Sequence, residues 1–456
     1  MTDDSHDVIV IGLGVGGEAV AGTIAQAGLD VLGIERNLVG GECPYWGCIP
    51  SKMMLRAAGA LAETSRVAAL AGEAHAHPDY SPVAQRIRDE ATDDWNDKVA
   101  VERLERTGGT FLRGQARFVG PREVEVEGQR HVARRGVAIA AGGSPAIPPI
   151  EGLAEVDYWT NREAIEAKEA PGSLIVLGGG PIGLEIGQAF SRFGTAVTVV
   201  EMAPHILPLE EPENARALEK VLRADGIDVR TGVSATKVRR TSDALAVELS
   251  DGTLLGAERL LVATGRRLNL PDLGLEAAGL DPNARSLEVD EHMRAADGIW
   301  AVGDITGKGA FTHIAMYQAR IAAADILGRP HSPADYSAVP RVTFTDPEIA
   351  SVGVSEAEAR KDELDVRVGI SQTASSARGW IHGPGAEHGV AKVIADAHRG
   401  TLIGASVMGP AAGEALGLLI LAIQEQIPLE KLRDLIFPYP TFVRGIEDAL
   451  NNLAEQ

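Results

Sequence analysis

Two stretches of this chain carry the same punctuation. In the first, the apolar run Asp7 to Ile11 leads into Gly12-Leu-Gly14-Val-Gly16-Gly17, then an alanine-rich helical stretch from Glu18 to Ala27, then a second apolar run from Asp30 to Ile34 that stops at Glu35. In the second, Ser173 to Leu177 leads into Gly178-Gly-Gly180-Pro-Ile-Gly183, a helical stretch from Leu184 to Phe193, and Ala196 to Val200, which stops at Glu201. The acid stands 23 residues after the first glycine in both copies. Strand, G-x-G-x-x-G, helix, strand and acid together form the full context of a dinucleotide cradle, which a bare glycine match does not. Gly12, Gly14 and Gly17, like Gly178, Gly180 and Gly183, let backbone N–H groups approach a pyrophosphate at a helix N-terminus, where the helix dipole favours negative charge. The carboxylates of Glu35 and Glu201 accept from ribose hydroxyls. Two matched units predict two nucleotide sites. A 2′-phosphate set against Glu201 would be repelled, and the following Met202-Ala-Pro-His205 supplies no Arg or Lys to compensate, so NADH is favoured over NADPH at the second site.

The rest of the sequence narrows the class. A length of 456 residues predicts two to four domains at roughly 100 to 200 residues each. Glycine, at 52 residues, exceeds the usual share of about 7%, as expected where backbone must be approached closely. A net charge of −21 would repel nucleic acid and anionic membrane surfaces. The acidic Met1 to Asp7 lacks the features of a signal peptide, and the longest strongly apolar stretch, Ala415 to Ile423, is far short of the roughly 20 residues a bilayer needs. A soluble, cytoplasmic protein is expected.

Between the cradles, Cys43 to Ala60 reads as helix, Arg86 to Arg106 as a charged helix, and Phe111 to His131 as a β-meander. Val137 to Ala141 then leads to a turn at Gly142-Gly143-Ser144-Pro145 that returns the chain to the first nucleotide fold. Arg259 to Gly265 repeats that logic for the second fold. Ile299 to Asp304 is one more strand, and its acid is placed to hold a cofactor's polyol. From about Val339 the texture changes to strands at Arg341 to Phe344, Val366 to Ile370 and Val390 to Ile394. Helices at Gly413 to Glu425, Leu429 to Leu435 and Gly445 to Leu453 accompany them, which is an α+β pattern.

Only two cysteines occur, Cys43 and Cys48, in Cys43-Pro44-Tyr45-Trp46-Gly47-Cys48-Ile49-Pro50-Ser51-Lys52. In a regular helix, Cα atoms five positions apart lie roughly 8 to 9 Å from one another, beyond the roughly 7 Å limit for a disulfide. A redox bridge therefore needs a distorted turn, and Pro44, Gly47 and Pro50 are placed to supply one. Strained, accessible disulfides are the redox-labile kind. A metal pair would need about four ligands, and with no further cysteine and His75 the nearest downstream histidine, no metal is expected. Lys52, one helical turn beyond Cys48, would stabilise a thiolate or a reduced cofactor. Whether Tyr45 and Trp46 stack on a substrate or pack a wall stays open.

With the two cradles, the C-x₄-C pair running on to Ile-Pro-Ser-Lys, Ala263-Thr-Gly-Arg266, Ala301-Val-Gly-Asp304 and the α+β end, the chain resembles the flavoprotein pyridine nucleotide-disulfide oxidoreductases along essentially its whole length. The resemblance implies an α/β protein with two Rossmann-like domains and a C-terminal α+β dimerisation domain. The expected boundaries are 1–150 for the FAD domain with its cysteine pair, 151–267 for the NAD(P) domain, 268–338 for a segment completing the FAD domain, and 339–456 for the interface domain of a homodimer. It implies FAD on Gly12, Gly14, Gly17 and Glu35 with Asp304 on its ribityl or phosphate region, Gly142 and Gly265 closing the two folds, and nicotinamide on Gly178, Gly180, Gly183 and Glu201. It further implies Cys48 beside the flavin, Cys43 toward substrate, Lys52 paired with Glu185 near the flavin's reactive nitrogen, and His313 either at the flavin's far edge or simply packed.

One departure bears on function. Dithiol-using members of this family carry His-Pro-Thr followed by a Glu; the matching stretch here runs Phe437-Pro438-Tyr439-Pro440-Thr441-Phe442-Val443-Arg444, with Tyr439 for His and Arg444 for Glu. A phenol, with an ordinary pKa near 10, is a poor base at neutral pH, and loss of general-base help typically costs about 10² to 10⁴ in rate. The C-terminal cysteine or selenocysteine pair of mercuric reductase and the high-molecular-weight thioredoxin reductases is missing too. The expectation is an FAD-dependent NAD(P)H oxidoreductase passing electrons through Cys43 and Cys48 to a small non-lipoamide acceptor such as a quinone, with Arg444 and Tyr439 available to bind it. The alternatives are a disulfide reductase with a substitute for the histidine, dihydrolipoamide dehydrogenase included, and a flavin-loaded interaction protein without turnover.

Overall fold

The computed structural model describes residues 4–242 and 244–453, which gather into two compact units. The first holds the chain up to Pro50, Gln85–Ala146 and Arg266–Tyr336; the second holds Ser51–Ala84, Ile147–Gly265 and the chain from Ser337.

The first unit is built on a mainly parallel sheet in the order Arg294–Ala296, Ile299–Ala301, Gln129–Ile139, Asp4–Ile11, Val31–Glu35, Thr110–Arg113, where the Arg294–Ala296 edge pairs antiparallel. Its central strand is buried on both faces, which is why the sequence shows an unbroken apolar run there. Val8 and Val10 face helices Val15–Gln26 and Thr312–Ile326 through Val20, Ile24, Ala319 and Ala322. Ile9 and Ile11 face the opposite layer with Phe118, Val124 and Leu273. The expected meander is present as Ala116–Gly120, Glu123–Val126 and the start of Gln129–Ile139, but Thr110–Arg113 leaves it to pair in parallel with Val31–Glu35.

The second unit holds a four-stranded parallel sheet, Asp228–Thr231, Ala196–Glu201, Ser173–Leu177, Arg259–Val262, with an antiparallel Ala235–Arg240, Leu245–Leu249, Leu254–Ala257 layer packed over it through Val238 and Val247. Its C-terminal part is a five-stranded antiparallel sheet ordered Pro340–Thr343, Glu348–Gly353, Thr401–Gly409, Val390–Asp396, Val366–Gln372. Helices Ala412–Gln424 and Arg444–Asn451 lay Leu416, Leu419, Ile446 and Leu450 on its core.

Three helical expectations are corrected. Cys43 to Ala60 is not one helix: Glu42–Trp46 stops at Gly47 (φ −125°, ψ −120°) and a new helix, Cys48–Leu70, begins. Arg86 to Arg106 breaks into a π-turn at Ile87–Ala91, a corner where Asp93, Asp94 and Trp95 all have positive φ, and helix Lys98–Arg106. Leu429 to Leu435 stops at Arg433. The strands Glu348–Gly353 and Thr401–Gly409 had no counterpart in the sequence reading. Among the described residues, no helix is long and apolar enough to cross a membrane.

Candidate active site

The two glycine turns have the same construction. Gly12 has φ +87° and lies so close to the neighbouring strand that an added Cβ would meet the Ala140 carbonyl oxygen at 2.5 Å; Gly178, at φ +111°, abuts the Ala263 carbonyl in the same way. A Cβ at Gly17 or Gly183 would run into the carbonyl oxygen of Gly12 or Gly178. Gly14 and Gly180 are the N-caps of helices Val15–Gln26 and Pro181–Arg192, and neither helix start has a side-chain cap, which leaves its orphan N–H groups for an anion to satisfy. Glu35 is buried; one oxygen accepts from Leu13 N–H at 2.7 Å and the other from Asn37 N–H at 2.7 Å. Glu201, equally buried, accepts from Gly179 N–H and Ala203 N–H, both at 2.7 Å. These cradles fit two dinucleotides.

Also in the first unit, the break at Gly47 brings the two cysteine side chains together. A side chain at Gly47 would press on the Glu42 carbonyl at 3.0 Å and on Cys43 Cα at 3.3 Å. Both cysteines stand as thiols, Cys43 half-buried and Cys48 exposed. The hydrogen bond to Cys48, with burial second, holds the Cys43 thiol far above its usual range. Thr312 Oγ1 lies 3.4 Å from Cys48 Sγ and also bonds Cys43. Sequence reasoning passed over Thr312; only the fold brings the start of its helix beside residue 48. Tyr45 is buried and belongs to the wall, its ring 5.9 Å from that of Trp46. Asp304 follows Gly303 (φ +82°), with Arg266 Nε at 3.7 Å; burial raises its carboxyl pKa while Arg266 pulls the other way. Gly142, at φ +61°, turns the chain just before Gly143–Pro145 pairs with Arg266–Leu268. His313 is exposed and stacks on Phe311 with ring centroids 5.2 Å apart.

In the second unit the expected Lys52 and Glu185 do meet. Lys52 Nζ is 2.6 Å from Glu185 Oε2, and Glu185, 5% exposed, accepts the Phe344 N–H on its other oxygen at 2.9 Å. The ammonium also sits 4.5 Å over the Phe344 ring. Gly265 has φ +119°. Tyr439 is 73% exposed, and the Arg444 guanidinium is held by Glu447 at 2.8 Å and Asp448 at 2.6 Å on its own helix.

Paired dinucleotide cradles with a vicinal-acting thiol pair define a flavin- and nicotinamide-dependent reductase. The chain belongs to the pyridine nucleotide-disulphide oxidoreductases: residues 6–319 match that family's model and 339–450 match its dimerisation domain. Members of the family are FAD-dependent and use NAD(P)H. The chain is 36% identical to a dihydrolipoyl dehydrogenase of Thermus scotoductus, over 99% of this chain and 98% of that one, and 35% identical to a mercuric reductase of Acidithiobacillus ferrooxidans, over 98% and 82%. Its fold superposes with a TM-score of 0.86 on a Cu(II) complex of the HOCl-induced flavoprotein disulfide reductase RclA from Escherichia coli, at 27% identity over 98% of this chain and 99% of that one. LpdA from Mycobacterium tuberculosis superposes with the same score and identity over 99% and 100%.

Proposed function

We propose that this chain oxidises NADH and passes two electrons through Cys43 and Cys48 to an acceptor other than lipoamide, a quinone being the representative class. FAD, bound on Gly12, Gly14, Gly17 and Glu35 in the 1–150 segment and completed by Asp304 from 268–338, supplies the hydride-accepting ring. The nicotinamide nucleotide is held by Gly178, Gly180, Gly183 and Glu201 of 151–267. The preference for NADH over NADPH rests on Glu201; Arg230, alongside Val200 on the neighbouring strand, is held by Asp228 at 2.8 Å. NADH and one proton open a Cys43–Cys48 disulfide to two thiols; the thiols close again as two electrons and two protons pass to the quinone, giving the quinol. Lys52, fixed by Glu185, places a positive charge one helical turn after Cys48. Residues 339–456 form the interface of a homodimer.

The observation that carries the acceptor is the 437–444 stretch. Tyr439 and Arg444 occupy the places of the family's His and Glu, no histidine follows His398, and Arg444 is committed to Glu447 and Asp448. The dithiol chemistry of lipoamide lacks its base. Aerobic NADH consumption with lipoamide against a quinone tests the reading; a tenfold preference for lipoamide overturns it. A second reading, a thiophilic metal ion as acceptor, is favoured by the exposed Cys48 beside Cys43 and by relatives that include mercuric reductases and a reductase seen as a Cu(II) complex. NADH consumption that depends on Cu(II) and on both cysteines, with no response to quinone, would select it.

A further inference from the structure

We propose that Asp4, His6 and His131 form a binding site for a tetrahedral divalent transition metal, zinc in the first instance, at the end of the first sheet remote from the glycine turn. The sequence gives no hint of it, because His131 lies 125 residues from His6, and no metal was expected anywhere in the chain. The parallel pairing of Asp4–Ile11 with Gln129–Ile139 sets Asp4 directly opposite His131, and His6 follows Asp4 by one full pleat on the same strand.

The geometry is that of a ligand set. Asp4 Oδ2 lies 3.6 Å from His6 Nε2 and 3.7 Å from His131 Nδ1, and the three donor atoms all lie within 4.8 Å of one another. Tetrahedral ligands at zinc–nitrogen and zinc–oxygen bonds near 2.0 to 2.1 Å stand about 3.3 Å apart. The second coordination layer is present as well. His6 Nδ1 is 3.1 Å from Asp30 Oδ1, a carboxylate contact that fixes the ring's tautomer and turns the Nε2 lone pair toward Asp4. Asp30's other oxygen lies 3.5 Å from Arg134.

The independent observation is an orphaned polar group. His6 and His131 are 7% and 3% exposed, yet His6 Nε2 and both ring nitrogens of His131 have no hydrogen-bond partner. Buried imidazole nitrogens are ordinarily satisfied. Asp4, exposed, leaves the fourth position to solvent. A second grouping, His292, Asp325 and His331, also has an unpartnered ring nitrogen, His292 Nδ1, but its carboxylate is already committed: Asp325 receives Arg294 at 2.6 and 2.7 Å and the Trp300 indole at 2.7 Å. From His6 to Gly12 the strand covers roughly 20 Å at about 3.3 Å per residue, so the site is separate from the flavin cradle.

Equilibrium dialysis of the oxidised, flavin-loaded full chain against Zn²⁺ tests the proposal, alongside a Cys43→Ser/Cys48→Ser variant because a dithiol also binds zinc. The expected result is one Zn²⁺ per chain in both, and affinity weakened about tenfold or more in Asp4→Asn and in His131→Gln. With Co²⁺ in place of zinc, the long-wavelength ligand-field absorption of a tetrahedral site should appear in the wild type and vanish in the same two variants. NADH consumption should stay unchanged in Asp4→Asn. Absence of stoichiometric zinc in the wild type, loss of it with the cysteines, or wild-type affinity in Asp4→Asn overturns the proposal; Asp4 is a surface residue, so that variant decides even if His131→Gln fails to fold.

Discussion

The duplication of the cradle allows one methyl group to be tried in two equivalent places. In Gly17→Ala the new Cβ is driven into the Gly12 carbonyl oxygen, with Ala140 Cβ at 3.0 Å on another side; in Gly183→Ala it meets the Gly178 carbonyl, with Val176 Cγ1 at 2.9 Å. Neither turn has room to absorb it, and the start of each helix must retreat by about 1 Å in an interior packed to crystal density. The N–H groups of that helix end then fall out of hydrogen-bond range of a pyrophosphate. Losing two bonds to a charged partner, at about 1.5 to 3 kcal/mol each, is about 3 to 6 kcal/mol, or a weakening of roughly 10² to 10⁴. Gly17→Ala is therefore expected to purify with little flavin and to need a large excess of FAD for activity. Gly183→Ala is expected to keep its flavin and to lose NADH affinity by that factor. Flavin absorbance per chain and the NADH concentration that half-bleaches it read the two effects, with circular dichroism to confirm folding. Wild-type FAD retention in Gly17→Ala, or flavin loss in Gly183→Ala, would refute the assignment of the two cradles.

Three further outcomes are expected. The Tyr439→His, Arg444→Glu pair should raise lipoamide-dependent NADH oxidation at least about tenfold, given the 10² to 10⁴ a general base supplies; unchanged rates would show that the cleft differs in more than these two side chains. Lys52→Met and Glu185→Gln should be coupled by about 1 to 2 kcal/mol in a double-mutant cycle on urea stability, below the value for a fully buried pair because Lys52 is 34% exposed; strict additivity would mean that the 2.6 Å contact contributes nothing. Lys392, 1% exposed among Glu211, Glu213 and Glu356, should on replacement by Met cost about 3 to 5 kcal/mol by leaving buried carboxylates unpaired. Burial opposes its charge, but hydrogen bonds to Glu211 and Glu356 win and hold its pKa above the ordinary 10.5, so the stability it contributes is full below that pH and is lost as pH rises through the folded value. Alkaline melting curves of wild type and Lys392→Met should converge; parallel curves would contradict the cluster.

Local sequence carried the nucleotide folds because each cradle is contiguous: strand, turn, helix and acid lie within 29 residues, and the steric demands on Gly12 and Gly178 leave few other residues possible. The family's whole-chain pattern brought Lys52 to Glu185 across 133 positions, which no periodicity would have done. Other features were hidden for physical reasons. Glu348–Gly353 and Thr401–Gly409 mix small and polar residues such as Ser351 and Ser406, which are buried and hydrogen-bonded to each other at 3.0 Å, so neither strand shows clean alternation. The corner at Asp93–Trp95 places non-glycine residues at positive φ, where composition offers no warning. Thr312 and the Asp4, His6, His131 group depend on long-range neighbours and are invisible until the strands are paired.

The acids that end the two second strands deserve a different description from the one their motif suggests. Each closes its own loop like a clasp, with both oxygens already tied to main-chain amides of the turn, at Leu13 and Asn37 for one and Gly179 and Ala203 for the other. Any ribose recognition would thus be layered on a fastening that the loop already makes for itself. Deleting Glu201 to admit a phosphorylated coenzyme would undo the buckle, and a workable redesign would keep the carboxylate and import a guanidinium to face it.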